Sequence, residues 1–254
     1  MACLLQYDRR QLIKLPSLVG LDEAGRGCLA GPVSAGAVWL DGSFFENRTR
    51  CKIARAANDS KKLSPAAREE LHAVLCEWGK QGVARFAQAT ADVLEIDAYN
   101  ILGATRLAMS RCLQLLAKEH ALPDGRSPFL AVTSGADTPL FVDDASAWPG
   151  VLVDGLPLKP FAWRHTALVG GDGRSLCIAL ASILAKVRRD HLMAELDQRF
   201  PQYGFAVHKG YATTAHIAAI REHGPCTEHR PLFLRAILTK SPAVDAQVEF
   251  AFAN

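Results

Sequence analysis

No apolar run in this chain approaches the ~20 residues needed to cross a bilayer. The longest weakly polar stretch, Leu29–Leu40, is broken by Gly31, Pro32 and Gly36, and the opening MACLLQYDRR turns from apolar to charged within a few residues. Neither a membrane span nor an export signal is expected. The seven cysteines are odd in number and form no CxxC pair or Cys/His ligand spacing. That excludes a disulfide framework and a structural zinc site, and scattered small thiols fit a reducing, cytoplasmic setting. Nucleotide-cofactor loops are missing too. There is no GxxxxGK[ST], and GRGCLAG (Gly25–Gly31) runs into Pro32 and a strand-like segment rather than opening a helix. No internal repeat or low-complexity tract occurs.

What remains is an ordinary globular balance. Of 254 residues, 49% are hydrophobic and 22% charged, which suits one large domain or a domain with an appendage. A net charge of +3 permits a polyanionic partner without demanding one. Ser17–Asp22 (SLVGLD) reads as a buried strand, Glu23–Gly31 as a Gly-rich turn, and Pro32–Leu40 as a returning strand with period-two alternation. Arg48–Lys62 carries six Lys/Arg and one acid and reads as a solvated basic loop. Ser64-Pro65 starts a helix with Leu71, Val74, Leu75 and Trp78 on its apolar face. Val83–Thr90 is a strand, and a long helix over about 97–119 buries Leu102, Met109, Leu113 and Leu116. Residues 123–150, rich in Pro and Gly, read as an irregular loop with a short strand near 129–133. VLVD (Val151–Asp154) and TALV (Thr166–Val169) are buried strands, and an apolar helix fills about 173–200. Two shorter helices follow near 213–222 and 232–238. Alternating strands and helices after an opening hairpin argue an α/β fold, a mixed sheet flanked by helices with a helical C-terminal part.

Four acids fall at strand ends: Asp22 and Glu23, Asp154, and Asp172 after TALVGG. Functional groups of α/β sheets collect beyond strand ends. Carboxylates gathered there repel and raise one another's pKa, so the cluster calls for a cation, and all-oxygen donors suit Mg²⁺ or Mn²⁺. Taken singly each has a plainer reading, since Asp is common in turns and Asp172 can cap the following helix. Gly25 and Gly27 supply the strand break that lets Asp22 and Glu23 serve one site, and Arg26 between them can meet a phosphate. Near the C-terminus, Tyr203-Gly204-Phe205 and His208-Lys209-Gly210-Tyr211 set aromatic rings beside cations, a pairing that suits nucleic acid. The last third also holds His208, His216, His223 and His229, at spacings unlike a zinc motif.

The blocks LVGLDEAGRGCLAGPVSAGAV, NDSKKLS, IDAYNILGATRLAM, VLVDG, GGD, ASILAKVRRD, YGFAVHKGY and HRPLF lie in this order from Leu18 to Phe233. Together they resemble bacterial ribonuclease HII. The resemblance implies an RNase H-like fold. It implies an endonuclease that cleaves the RNA strand of RNA/DNA hybrids and nicks duplex DNA 5′ to a lone ribonucleotide, leaving 5′-phosphate and 3′-hydroxyl. Its four metal-binding catalytic carboxylates fall on Asp22, Glu23, Asp154 and Asp172, and it implies Mg²⁺ or Mn²⁺, two ions during catalysis. Gly25, Arg26 and Gly27 are then the contacts to the ribonucleotide 2′-hydroxyl, Tyr211 stacks on the neighbouring deoxyribose, and Lys61 touches phosphate. Asp190 is expected in a structural ion pair. The implied layout is an N-terminal extension (1–16), a catalytic domain (17–200), a C-terminal substrate-binding part (201–238) and a tail (239–254). A monomer is expected. A replication clamp is a conceivable partner, although the tail carries no clear clamp-binding peptide.

Three departures stand out. Gly170 replaces the Lys usual before GD, the 123–150 segment is long, and Cys28 stands where Pro is frequent. Ribonuclease HIII fits less well, because only 21 residues precede Asp22. A noncatalytic nucleic-acid binder on the same fold is the alternative of another class.

Overall fold

Alternation along the first two strands dictates the layering. The computed structural model describes residues 4–57, 63–120 and 149–238. Strands β1 (Ser17–Ala24) and β2 (Val33–Asp41) form an antiparallel pair, and β3 (Arg85–Ala91) adds to β2. Strands β4 (Gly150–Asp154) and β5 (Thr166–Leu168) run parallel to β1, giving the order β3-β2-β1-β4-β5. Successive strand residues face opposite ways. Leu18, Val38, Leu40 and Leu152 therefore enter one core, while Val19, Leu21, Ala35, Ala37, Trp39, Val151 and Val153 enter the other.

The first core is closed by α6 (Leu176–Arg199), α4 (Pro65–Lys80) and α1 (Leu4–Gln11), the second by α5 (Val93–Glu119) and Trp163. Helix α6 comes closest to the sheet. A Cβ at Gly20 would fall inside the backbone of Cys177 and Ile178, and one at Gly36 inside that of Ala181. The N-terminus of α6 is also tied to α1: buried Asp8 accepts from the Cys177 amide at 3.0 Å. Burial raises the Asp8 pKa to about 6, with hydrogen bonds from Ser175 and Cys177 opposing the rise. A third, smaller core joins Leu29 and Ala30, Met193 and Leu196 of α6, and Tyr203, Phe205, Ile217, Ile220 and Leu234 from the helical C-terminal region.

Several expectations need correction. The basic segment is not all loop. Asn47 ends the short α2 (Gly42–Glu46) and caps α3 (Arg48–Ala54), a 3₁₀ turn continues through Arg55–Ala57, and Cys51, Ala54 and Ala57 bury one side at threefold spacing. Helix α5 starts at Val93, because Asp92 and Glu95 form a capping box. Within it Asn100 has φ 56°, and its side chain accepts from the Leu102 and Gly103 amides. That break resets the helical phase, so Leu102 is exposed while Met109, Leu113 and Leu116 are buried. Ser175, rather than Asp172, caps α6. The short strand expected near 129–133 lies outside the described residues.

The close approach of α6 makes Gly20→Ala a sharp test. Overpacking here meets backbone rather than a flexible side chain, so the loss should be about 1–3 kcal/mol, read as a lowered urea midpoint with m unchanged. An unaltered midpoint would contradict the packing described.

Candidate active site

The C-terminal ends of β1, β3, β4 and β5 share one edge of the sheet, because β2 alone runs the other way. Asp22 and Asp154 stand side by side there, each one residue beyond the Leu21–Val153 pair. Strand β1 continues through Ala24, two residues past its expected end, so Glu23 is still paired with Ala35. The break comes at Gly25, with φ 92°, a conformation that a side chain would strain. Gly27 has no positive φ among the described glycines.

Asp22 is buried, and its carboxyl is pushed well above the usual range, first by burial and then by the charges of Glu23 and Asp154. Hydrogen bonds from Ser182 of α6 and from the Glu23 amide (2.7 Å) oppose the rise. Glu23 is raised as well, mainly by burial, although Arg26 hydrogen-bonds to it at 3.0 Å and draws it down. Asp154 accepts from the Gly171 amide at 2.6 Å. That bond ties β4 to the 3₁₀ turn Gly171–Gly173, which carries the partly exposed Asp172. The turn starts at Gly170 (φ 63°), where a side chain would enter open space. Among the described residues, no three His, Cys, Asp or Glu side chains close around one point as a metal cage. The arrangement is an open-sided acidic edge. Its all-oxygen donors and raised proton affinity fit hard divalent cations that keep part of their water.

The turn after Gly25 faces a second bank. The Leu29 amide donates to the Gly210 carbonyl and the Gly31 amide to that of Glu228, both at 2.8 Å. Tyr211 follows directly, 45% exposed, near the buried Cys28 thiol. Behind it lies a chain of neutral histidines. The Cys226 amide donates to His229 Nδ1 (3.0 Å), which leaves the proton on His229 Nε2 to bond His216 Nε2 (3.1 Å). His216 Nδ1 then donates to the Tyr211 carbonyl (2.8 Å). Burial lowers the pKa of both His216 and His229 to about 4.

The comparisons with known proteins agree with this geometry. The family model for ribonuclease HII matches residues 19–130 and 154–237. Ribonuclease HII 1 of Methylibium petroleiphilum is 42% identical over 235 residues, covering 92% of this chain and 98% of the relative. The chain belongs to the ribonuclease HII family. It is an endoribonuclease by that membership. Solved structures support the fold alone. The PCNA:RNase HII complex of Archaeoglobus fulgidus aligns with TM-score 0.58 at 19% identity, over 90% of this chain and 98% of that one. Bst-RNase HIII in complex with Mn²⁺ aligns with TM-score 0.58 at 18%, over 85% of this chain and 65% of that one. The RNase HII model leaves 131–153 unmatched, most of the segment that reads as long for the family.

The structure thus brings Asp22, Glu23 and Asp154 together, sets Asp172 on the adjoining turn, and places the Gly25–Gly27 turn beside Tyr211. Lys61 lies outside the described residues. Asp190 pairs with Arg68 at 3.3 Å. Ser182, Arg189 and Arg230 were not singled out from sequence, yet all three touch the site or its turn.

Two outcomes follow from the charges. A carboxyl whose folded pKa is raised binds its proton more tightly folded than unfolded, so its penalty grows as pH rises above about 4. Asp22→Asn should therefore raise the metal-free Tm at neutral pH, with the gain over wild type shrinking as pH falls. The histidines have the opposite sign, because the unfolded chain takes up protons below about 6.5 that the buried rings refuse. Stability should fall from pH 6.5 towards 4, and His229→Asn should flatten that fall in urea midpoints taken at pH 7, 6 and 5.

Proposed function

We propose that this chain hydrolyses the RNA strand of RNA/DNA hybrids and nicks duplex DNA on the 5′ side of an embedded ribonucleotide, leaving 5′-phosphate and 3′-hydroxyl. The observation that carries this reading is the pairing of an acidic edge with the Gly25–Gly27 turn and Tyr211. Asp22, Glu23, Asp154 and Asp172 would hold the divalent ions, Mg²⁺ or Mn²⁺. Two such ions supply activation of a water and charge stabilisation at the leaving oxygen. Mn²⁺ bound to the HIII relative is consistent with that choice.

The chain's own residues position the substrate. Burial of Asp22 behind Ser182 fixes one carboxylate, and the Gly171 amide fixes Asp154. The backbone of the Gly25–Gly27 turn, exposed at Arg26 and Gly27, can approach a ribose closely and read its 2′-hydroxyl, the group that separates RNA from DNA. Half-exposed Arg26 offers a charge for phosphate, and the Tyr211 ring offers a face for the next sugar. Lys61 is a further phosphate contact on this reading. Gly170 removes one charge beside Asp172, which weakens affinity for substrate without removing a ligand. The archaeal relative solved with PCNA makes a sliding clamp the macromolecular partner to test.

The test is cleavage of an end-labelled DNA duplex containing one ribonucleotide, run with Mg²⁺, Mn²⁺ or chelator beside an all-DNA control. A single nick 5′ to the ribonucleotide is expected, lost with chelator and in Asp154→Asn while that variant still binds. Tyr211→Ala should lower kcat/KM roughly tenfold to a hundredfold, the equivalent of ~1–3 kcal/mol of stacking. Tight binding without a nick under either ion would overturn the reading in favour of a noncatalytic binder.

A further inference from the structure

Two arginines are buried beneath the Gly25–Pro32 turn, and among the described residues neither has a carboxylate in hydrogen-bond contact. Arg189 of α6 is 2% exposed and Arg230 is 0% exposed. Their hydrogen bonds go to backbone carbonyls. Arg189 donates from Nε to Pro32 (3.2 Å), from Nη2 to Ala30 (3.1 Å) and from Nη1 to Lys209 (2.7 Å). Arg230 donates from Nε to Gly31 (2.9 Å) and from Nη1 to Arg26 (3.0 Å), while its amide donates to the Leu29 carbonyl at 2.8 Å. Its Nη2 has no hydrogen-bond partner among the described residues. Burial lowers its pKa to about 10, so it stays charged at neutral pH.

Burying an unpaired guanidinium is costly, and five bonds to neutral carbonyls recover only part of that cost. A merely structural role would be served more cheaply by apolar side chains of similar volume. The fixed fork of a guanidinium does something they cannot, which is to hold several carbonyls at set separations. Arg189 bridges two adjoining segments, since its fork ends on Ala30 and Pro32 in one and on Lys209, two residues before Tyr211, in the other. Gly25 packs against the same guanidinium so closely that a Cβ would overlap it. Arg230 grips the turn from beneath, at the carbonyl of Arg26 itself.

We infer that Arg189 and Arg230 are positioning residues that set the Gly25–Gly27 backbone at a fixed spacing from Tyr211, and thereby set selectivity for a ribonucleotide followed by a deoxyribonucleotide. The inference rests on the proposed reading that this turn contacts the 2′-hydroxyl and that Tyr211 stacks on the next sugar. Neither arginine touches substrate. They act through the spacing of the two groups that do.

The test compares kcat/KM on a DNA duplex with one ribonucleotide and on a uniform RNA/DNA hybrid, for wild type, Arg189→Lys, Arg189→Gln, Arg230→Lys and Arg230→Gln. All assays run well below each protein's Tm, with amide hydrogen exchange at Leu29 and Gly31 measured alongside. Lysine keeps the charge and most of the reach without the planar fork, and glutamine keeps neither charge nor reach. The ratio of the two kcat/KM values should fall at least tenfold in the glutamine variants and less in the lysine variants. Exchange at Leu29 and Gly31 should quicken while strand amides do not. An unchanged ratio in folded variants, whatever their Tm, overturns the inference and leaves the pair a stability feature. Failure of all four variants to fold overturns it too, because the pair is then a folding requirement. A wild-type enzyme with no dependence on the 2′-hydroxyl would instead sink the underlying reading of the turn.

Discussion

Helix α6 lies so close to β1 and β2 that two strand positions, Gly20 and Gly36, have no room for a side chain. Most of what matters at the site depends on that contact. With the helix backbone against the sheet, Ser182 reaches Asp22, and Arg189, about two turns on, reaches the Gly25 turn. Asp190 meets Arg68 of α4, which holds the outer helix to the same rod. At the other end Asp8 of α1 meets the Cys177 amide, so the helix cannot slide along its axis without breaking a buried hydrogen bond. The sheet supplies the carboxylates, and α6 sets their depth and the position of the turn in front of them.

The acidic edge works against this stability. The charge of Asp154 raises the proton affinity of Asp22 and of Glu23, Glu23 raises that of Asp22, and Arg26 draws Glu23 down. The Arg26 side chain is half exposed, so this pair contributes little. The repulsion is the physical basis for cation binding, because a group that holds protons tightly in the fold also favours other positive charge. The fold tolerates this arrangement because it is confined to the strand ends, while both faces of the sheet beneath are apolar and closed by helices.

The carboxylates and strands were legible because their signals are local. Asp22 and Asp154 each end an apolar run, and a parallel pairing of those runs sets them side by side. Helix α6 announces itself by composition. Other features rest on information that a linear reading does not carry. Asn100 sits inside a helical pattern, and nothing in its neighbours says that its side chain caps a second segment. The basic run around Arg48 looked solvated because its charges outnumber Cys51, Ala54 and Ala57, which decide its packing. Arg189 and Arg230 are hardest to read, since their partners are carbonyls, which every residue has. Arg189 leaves a trace as a charged residue at a position that the helix pattern of α6 turns inward, whereas Arg230 lies outside that helix.

That difficulty follows from how the proposed selectivity works. A backbone turn that reads a hydroxyl has no side chain to adjust, so its accuracy depends on where the turn is held. Positions within Gly25–Gly27 fix its shape, through the φ of 92° at Gly25. Positions far along the chain, 189 and 230, fix its place, through carbonyls on the side away from the ligand. The histidine chain adds a third restraint on the opposite bank, at the Tyr211 carbonyl. The turn and the Tyr211 segment are thus each gripped by their main chain from behind, which leaves the half-exposed side chains of Arg26 and Tyr211 free for the proposed substrate contacts.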